Sequence, residues 1–436
     1  MRVFGCQQNF SDGEKLRGVL ATCGFAAAPD IDRADVIIFD TCAVREHAEE
    51  RVFGNVGALK SVKQDRRETV IAVVGCMTAQ PTVARKMRDS YPFVDIICGT
   101  NALTELPRML CEVFLSNSTV TEVGGETFPL DDSFEQLHTV RDNSFKASVP
   151  IMYGCDNFCS YCVVPYVRGR ERSRAPEKII AEVRALVADG VKYVLLLGQN
   201  VNSYNADKYD FARLLSELDE IDGDFWLDFM TSHPKDCSEG LIDIIAQSRH
   251  IVHRLHLPAQ SGNDRVLRDM NRHYSRARYL QLARYAREKM PLMSLTTDIL
   301  VGFPTETDSD FEDTLSLITD AQIDASYTFL YSPRTGTKAA TLPDPSTKVE
   351  KQARFDKLLA AQRAVSEQLY ARYFGVTMRV LCDSLGRVNT GVDGWYSGKS
   401  REGIIVDFMS NVDIKGQFVN VVITDTKHWA VVGKLI

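Results

Sequence analysis

Gly154-Cys155-Asp156-Asn157-Phe158-Cys159-Ser160-Tyr161-Cys162 is the stretch that decides how this chain is read. Three cysteines spaced C-x3-C-x2-C can ligate three irons of a [4Fe–4S] cube and leave the fourth iron without a protein ligand. Ferredoxin-type sites supply four thiolates instead, because an electron carrier keeps its cluster closed. A zinc site and three buried structural cysteines are the competing readings. Zinc takes four ligands, usually from paired C-x2-C halves, and no second such pair occurs in the chain. An open iron calls for a small molecule that offers it amino and carboxylate groups.

Outward from this loop the sequence alternates apolar runs with helical stretches. Six strand candidates lie near Ser148–Tyr153, Tyr193–Leu197, Trp226–Met230, Val252–Leu257, Leu292–Val301 and Ser326–Tyr331. Pro176 stands where the next helix should begin, a position at which its missing N–H costs nothing. Six β/α units predict a partial (β/α)6 barrel over residues 145–372, with its chemistry at the C-terminal strand ends. The segment 347–373 reads as one long amphipathic helix leading out of that domain. Upstream, residues 1–115 carry short apolar runs at Arg2–Gly5, Val36–Asp40, Thr69–Val74 and Val94–Ile97, which predict a parallel sheet of βα units. Ser11-Asp12-Gly13-Glu14 reads as a capping box opening the first helix. Residues 116–144 read as a polar, acidic linker. From 373 to 436, short β runs with turns at Arg387–Gly391, Asp393-Gly394 and Lys415-Gly416 predict a small antiparallel β-barrel. The expected fold class is thus α/β with a terminal β-barrel.

With 44% hydrophobic and 25% charged residues, the composition is that of a globular protein. No apolar run approaches the ~18–20 residues of a membrane span. An opening of Met1-Arg2-Val3-Phe4 leaves no room for a signal peptide. Eleven cysteines then point to thiols, metal ligands or core packing rather than disulfides. A cytoplasmic location without a membrane partner is expected. The net charge of −7 argues against a nucleic-acid partner, but charge is unevenly placed. Glu122, Glu126, Asp131, Asp132, Glu135 and Asp142 face only Arg141 within residues 121–143, whereas Arg168, Arg170, Arg172 and Arg174 crowd one short run. Phosphate binding follows such local clusters. A dense Arg/Glu run also suits an internal salt-bridge network, and both readings stand at this stage.

Cys6, Cys42 and Cys76 share one context, each following a strand candidate. In an open parallel sheet the C-terminal strand ends line one crevice, so thiols from three loops can converge. Glycine directly before Cys6 and Cys76 lets backbone approach a bulky cluster. The alternative is that small cysteines fill gaps in the sheet, and Cys98 also sits at a strand end. Cys23, Cys111, Cys237 and Cys382 read as core or surface thiols.

Gly5-Cys6-Gln7-Gln8-Asn9, Asp40-Thr41-Cys42-Ala43-Val44-Arg45-Glu46 and Gly75-Cys76-Met77-Thr78-Ala79-Gln80 resemble the three N-terminal blocks of the radical-SAM methylthiotransferases. Tyr153–Cys162, Val164–Arg174, Leu197–Asn202, His256–Gly262 and Thr297–Pro304 resemble later blocks of the same family, so the likeness spans essentially the whole chain. The Arg-rich run and the Cys-Gln-x-Asn block resemble the MiaB branch, whose substrate is tRNA, more than the ribosomal-protein branch. Gln8 and Ala259 stand where methionine and valine are usual, and neither change removes a ligand or a charge.

The resemblance implies two [4Fe–4S] clusters and S-adenosylmethionine (SAM). One cluster, on Cys155, Cys159 and Cys162, splits SAM to a 5′-deoxyadenosyl radical; an auxiliary one, on Cys6, Cys42 and Cys76, carries the transferable sulfur. It also implies a TRAM-like RNA-binding barrel, an electron donor such as flavodoxin or ferredoxin, and a sulfur or iron–sulfur cluster donor. The implied substrate is N6-dimethylallyladenosine at position 37 in a tRNA anticodon loop, where bases are unstacked and accessible. C2 of adenine is an unactivated aromatic carbon, so replacing its C–H by C–S calls for a radical. By strand-end position, Gly198, Gln199 and Asn200 are candidates for the methionyl end of SAM, and Ser232, Gln260, Asp298 and Phe303 for its ribose or adenine. Asp298 and Gln260 equally suit barrel-core polar roles, and His233 and His256 read as structural. Lys399 and Arg401, with Trp395, are RNA-contact candidates in the terminal barrel. Two alternatives stay open: methylthiolation of another target, either threonylcarbamoyl-adenosine or a ribosomal-protein aspartate, and a non-catalytic iron–sulfur RNA-binding protein.

Overall fold

The computed structural model describes residues 1–43, 46–116, 118–123, 137, 139–385 and 394–436, with backbone alone at 46–48 and 385. They form two compact units: residues 1–143 with 153–158 and 162–172, and residues 144–152, 159–161 and 173–436.

The first unit is built on a parallel sheet whose strands follow chain order: β1 (Arg2–Val3), β2 (Val36–Thr41), β3 (Val70–Gly75), β4 (Ile96–Gly99) and β5 (Val120–Glu122). Alternation along the strands sends Val70, Ala72, Val74 and Ile96 to one face, against Leu16, Leu103 and Met109. Ile71, Val73 and Ile97 go to the other, against Val52, Val56 and Met87. Both faces are covered, as βαβ crossovers require. β5 lies inside the stretch expected to be a linker, and Asp142 from the same stretch pairs with Arg17 at 2.6 Å. Glu126, Asp131, Asp132 and Glu135 of the acidic run lie outside the described residues. The first helix, α1 (Gln7–Thr22), starts directly after Cys6. Ser11–Glu14 is therefore interior to the helix rather than its cap, and Asp12 there accepts from Gln8 Nε2 at 2.9 Å.

All six strands expected in the second unit are present: Lys146–Pro150, Tyr193–Leu197, Trp226–Phe229, Arg254–His256, Ser294–Val301 and Ala325–Leu330. The first three are parallel neighbours in sequence order, as are the last three. A parallel bridge between Leu227 and Ile251 joins the two halves. The core sets Val149, Leu196, Leu227, Leu255 and Leu295 against helix residues Ile179, Leu214, Ile242, Leu282 and Leu317. Pro176 opens its helix, Pro176–Ala188. The long helix runs Lys348–Tyr370, capped reciprocally by Thr347 and Glu350.

The chain ends in a closed five-stranded barrel of Thr377–Leu385, Trp395–Ser400, Ile405–Met409, Phe418–Thr426 and Val431–Leu435. It is not wholly antiparallel as expected. Ile405–Met409 and Val431–Leu435 run parallel, because an odd number of strands cannot alternate direction around a closed ring. The turn at Lys415-Gly416 is present; Arg387–Gly391 and Asp393 lie outside the described residues.

Candidate active site

Parallel pairing puts the C-terminal ends of β1, β2 and β3 at one edge, and Cys6, Cys42 and Cys76 stand just beyond them. Gly5 holds φ +131°, and a Cβ there would lie 2.5 Å from Cβ of Cys42, so only glycine lets the first loop rest on the second. Gly75, at φ +105°, is confined in the same way by Asp40 Oδ1 and Thr41 O. Asn9 Nδ2 donates to Asp40 Oδ1 and Thr41 O, each at 3.0 Å, and Cys76 N donates to Thr41 O at 2.9 Å. The three loops are thereby tied into one cradle. The thiols of Cys6 and Cys42 are hydrogen-bonded, which is the main reason Cys6 is lowered to about 6. Burial pushes Cys76 up to about 12.

Arg168 Nε donates to Cys76 Sγ at 3.2 Å, and its Nη2 lies 2.9 Å from Asp12 Oδ2. Cys98 is apart from this group: its Sγ donates to Gly99 O at 3.3 Å, and the residue packs in the apolar core with Ala72, Val74 and Leu103. Among the described residues no three His, Cys, Asp or Glu side chains close around a single ion. A [4Fe–4S] cube takes one thiolate per iron, so three separated thiols at one sheet edge fit its donor set.

The C-x3-C-x2-C loop contributes to both units. In the first, Cys155 N donates to Gly169 O at 3.2 Å, and Asp156 accepts from Glu171 N at 3.0 Å and from Arg170 Nε at 2.7 Å. In the second, Ser160 N donates to Met270 O at 2.9 Å, and Arg272 Nη1 reaches Cys159 Sγ at 3.8 Å. Cys155 and Cys159 are each 9% exposed, and Cys162 is half-buried.

Gly198, Gln199 and Asn200 follow the second strand of the second unit, and Ser232 and His233 the third. Four bonds staple these loops: Val201 N to Thr231 O at 3.0 Å, His233 N to Asn202 Oδ1 at 2.8 Å, Asn202 Nδ2 to His233 O at 3.1 Å, and Asn200 Nδ2 to Asp236 Oδ2 at 2.7 Å. Thr231 and Gln260 hold positive φ, +70° and +66°, a strain of about 1–3 kcal/mol each that collects at ligand-binding loops. Gln199 Oε1, Asn200 Oδ1, Ser232 Oγ and His233 Nε2 are buried without a hydrogen-bond partner among the described residues. Folded proteins leave few such atoms unpaired, so this donor and acceptor set fits a polar ligand such as SAM.

His233, which the sequence reading set aside as structural, belongs here. Its Nδ1 accepts from Lys235 N at 3.2 Å, and burial lowers its pKa to about 2, so the neutral ring carries its proton on Nε2. The signal available was its place beside Ser232 at a strand end. Gln260 is tied by backbone bonds to Asp298 O and Leu300 N, and the Asp298 carboxylate, partly exposed, lies 3.6 Å from His256 Nε2. Phe303 is fully buried with Val266, Met270 and Tyr331.

Most of the residues offered as RNA contacts have partners within the chain, as the salt-bridge reading of the arginine run allows. Arg168 is buried as described, and Arg174 is buried with Nη1 donating to Pro150 O at 2.5 Å and to Glu182 Oε2 at 3.0 Å. Arg401 donates to Ser248 O at 2.5 Å and Ile251 O at 3.3 Å, and Lys399, its pKa lowered by burial, lies over the Tyr193 ring. Arg168 and Arg174 are thus turned inward, and half-buried Arg401 spends its donors on two carbonyls. Arg170 stays exposed beside Asp156, and Arg172 is half-buried over Tyr153.

Residues 149–318 match the Radical SAM superfamily, and residues 1–99 match a family described as uncharacterized protein family UPF0004. The tRNA-2-methylthio-N(6)-dimethylallyladenosine synthase of Caldicellulosiruptor saccharolyticus is 43% identical, covering 98% of this chain and 90% of that protein. The protein of the same name from Bacillus subtilis is 41% identical, covering 100% and 85%. Among solved structures, the radical S-adenosylmethionine methyltransferase TsrM from Kitasatospora setae, with cobalamin and a [4Fe–4S] cluster bound, superposes with a TM-score of 0.55. It shares 15% identity over 76% of this chain and 73% of that one, a likeness of fold. Among the described residues no helix is long and apolar enough to cross a membrane.

Proposed function

The chain belongs to the tRNA-2-methylthio-N(6)-dimethylallyladenosine synthase family of radical-SAM enzymes, and from that premise we propose that it converts N6-dimethylallyladenosine, 3′ of the anticodon at position 37 of tRNA, to the 2-methylthio derivative in the cytoplasm. Its cofactors are SAM and [4Fe–4S] clusters. The observation that carries the reading is the second thiol set, Cys6, Cys42 and Cys76 gathered at one sheet edge, in a chain that also holds the C-x3-C-x2-C loop. An enzyme that only cleaves SAM has no need of that set; one that inserts sulfur does.

When bound, the cluster on Cys155, Cys159 and Cys162 supplies the electron for SAM cleavage, and the cluster on Cys6, Cys42 and Cys76 supplies sulfur. The chain's own contribution is positioning. Gln199 Oε1 and Asn200 Oδ1 are acceptors suited to an ammonium or hydroxyl, and His233 Nε2–H is a donor suited to a carboxylate or ribose oxygen; Ser232 Oγ serves either way. Exposed Arg170 and lysines of the terminal barrel take phosphates of the anticodon stem-loop. Flavodoxin or ferredoxin as reductant and a sulfur or cluster donor complete the partners. The test is mass spectrometry of tRNA nucleosides from cells with and without the gene. Unchanged 2-methylthio-N6-dimethylallyladenosine on deletion overturns the proposal, and loss of the threonylcarbamoyl analogue instead reassigns the substrate.

A further inference from the structure

Arg168 lies in the arginine run that charge patterning offered either to RNA or to an internal salt-bridge network; its side chain is only 6% exposed and that of its partner Asp12 only 3%. A five-residue helix, Val164–Arg168, delivers it to the thiol cradle, anchored where Val163 and Val167 pack against Ala43 and Cys76. There Nε donates to Cys76 Sγ at 3.2 Å. Nη2 lies 2.9 Å from Asp12 Oδ2 and has no other acceptor among the described residues. Burying a guanidinium is costly unless its charge is compensated. Asp12 supplies one negative charge. A cluster on three thiolates is the further anion this site is built to meet.

We propose that Arg168 is a positioning residue of the auxiliary cluster, a fixed positive charge and hydrogen-bond donor on Cys76 that raises the cluster's reduction potential. The inference rests on the assignment of that cluster to Cys6, Cys42 and Cys76. Hydrogen bonds and charge at ligating sulfurs are the levers by which a protein sets such potentials. Removing the guanidinium makes adding an electron harder, so the potential falls.

The experiment uses the full chain with Cys155, Cys159 and Cys162 replaced by Ala, so that only the auxiliary cluster remains, and compares Arg168, Arg168→Lys and Arg168→Met after anaerobic reconstitution. In Arg168→Met the reduced-to-oxidised ratio at a fixed ambient potential should drop at least tenfold, about 59 mV for a one-electron couple. Arg168→Lys should stay near the parent, and tRNA affinity should be equal in all three. Equal potentials throughout overturn the inference, as does weaker tRNA binding in Arg168→Met with the potential unmoved. If Arg168→Met loads no iron, Arg168→Lys decides: loading at the parental potential supports a charge requirement, and failure of both shows a packing role only. Absence of any cluster in the parent overturns the cluster assignment itself and the inference with it.

Discussion

Cys76 and Cys98 end neighbouring strands of one sheet, and paired alanine substitutions should separate a ligand from a packing residue. Cys98 is fully buried among Ala72, Val74, Ile96 and Leu103. Cys98→Ala deletes one heavy atom from that core, a change of the Ile→Val kind that costs about 1 kcal/mol. The apparent melting midpoint of the metal-free chain should fall by about 2–4 °C, with iron loading unchanged. Cys76 is also buried, 3% exposed, but its sulfur faces Arg168 and the Cys6–Cys42 pair. Cys76→Ala leaves two thiolates for a cube that needs three, so iron and sulfide should fall by roughly half. Methylthio product should vanish while SAM is still cleaved. Anaerobic iron and sulfide analysis with calorimetry on both variants reads these outcomes. Loss of half the iron in Cys98→Ala, or full iron in Cys76→Ala, refutes the assignment of strand ends.

Cys159→Ala should keep the auxiliary cluster and abolish 5′-deoxyadenosine formation; normal SAM cleavage in that variant removes the residue from the ligand set. Ser232 Oγ has no partner, so Ser232→Ala should leave the free protein as stable or more so. SAM should bind it about tenfold more weakly, about 1.4 kcal/mol, and equal affinity by equilibrium dialysis counts against the pocket. Glu306 is raised from 4.5 to about 7, chiefly by burial, with Gly302 N and Arg354 opposing. Its contribution to stability is present below pH 4.5 and is lost as pH rises through about 7. Glu306→Gln should therefore gain on the parent between those values, and parallel denaturant midpoints at about pH 5 and about pH 8 exclude it. Lys415, Lys427 and Lys434 are exposed on the terminal barrel. Replacing them by Glu should weaken tRNA binding and flatten its log–log salt slope by roughly 0.7–0.9 per lost phosphate contact; an unchanged slope clears them.

What the sequence made legible was periodic and local. Runs such as Val36-Ile37-Ile38-Phe39 and Val70–Val74 located strands because a sheet covered on both faces needs continuous apolar stretches. The thiols were legible because each followed such a run. β5 was not, since only Val120 of its three residues is buried and pairing with β4 makes the strand. The choice between the two readings of the arginines was not legible either, for a related reason. Whether a long cationic side chain faces water depends on partners remote in sequence, Asp12 for Arg168 and Ser248 for Arg401, and no local pattern records them. His233 was passed over because radical chemistry needs no general base, although a ligand donor is a different role from a base.

The placement of Arg401 also bears on what the terminal barrel does. Leu381 packs with Tyr193, Leu195 and Trp226 of the strand barrel, and Phe418 meets Trp226 edge-on at 4.7 Å. Lys146 pairs with Asp383, and Arg379 with Asp224 at 2.7 Å. His253 N donates to Arg401 O at 2.7 Å, while Gly403 lies against Arg254, whose guanidinium holds the buried Asp228 at 2.7 Å. The barrel is thus the cover of a seam that keeps an apolar cluster and a buried ion pair away from water. Removing it by a cut at Tyr373 would expose Trp226 and open the Arg254–Asp228 pair, and an ion pair stripped of its cover is costly. Weak tRNA binding by a truncated chain would then report a disrupted seam as readily as a lost RNA contact. Lys399 and Arg401, the barrel cations offered as RNA contacts, stand at this seam, so the exposed lysines elsewhere on the barrel are where charge can be changed without disturbing the joint.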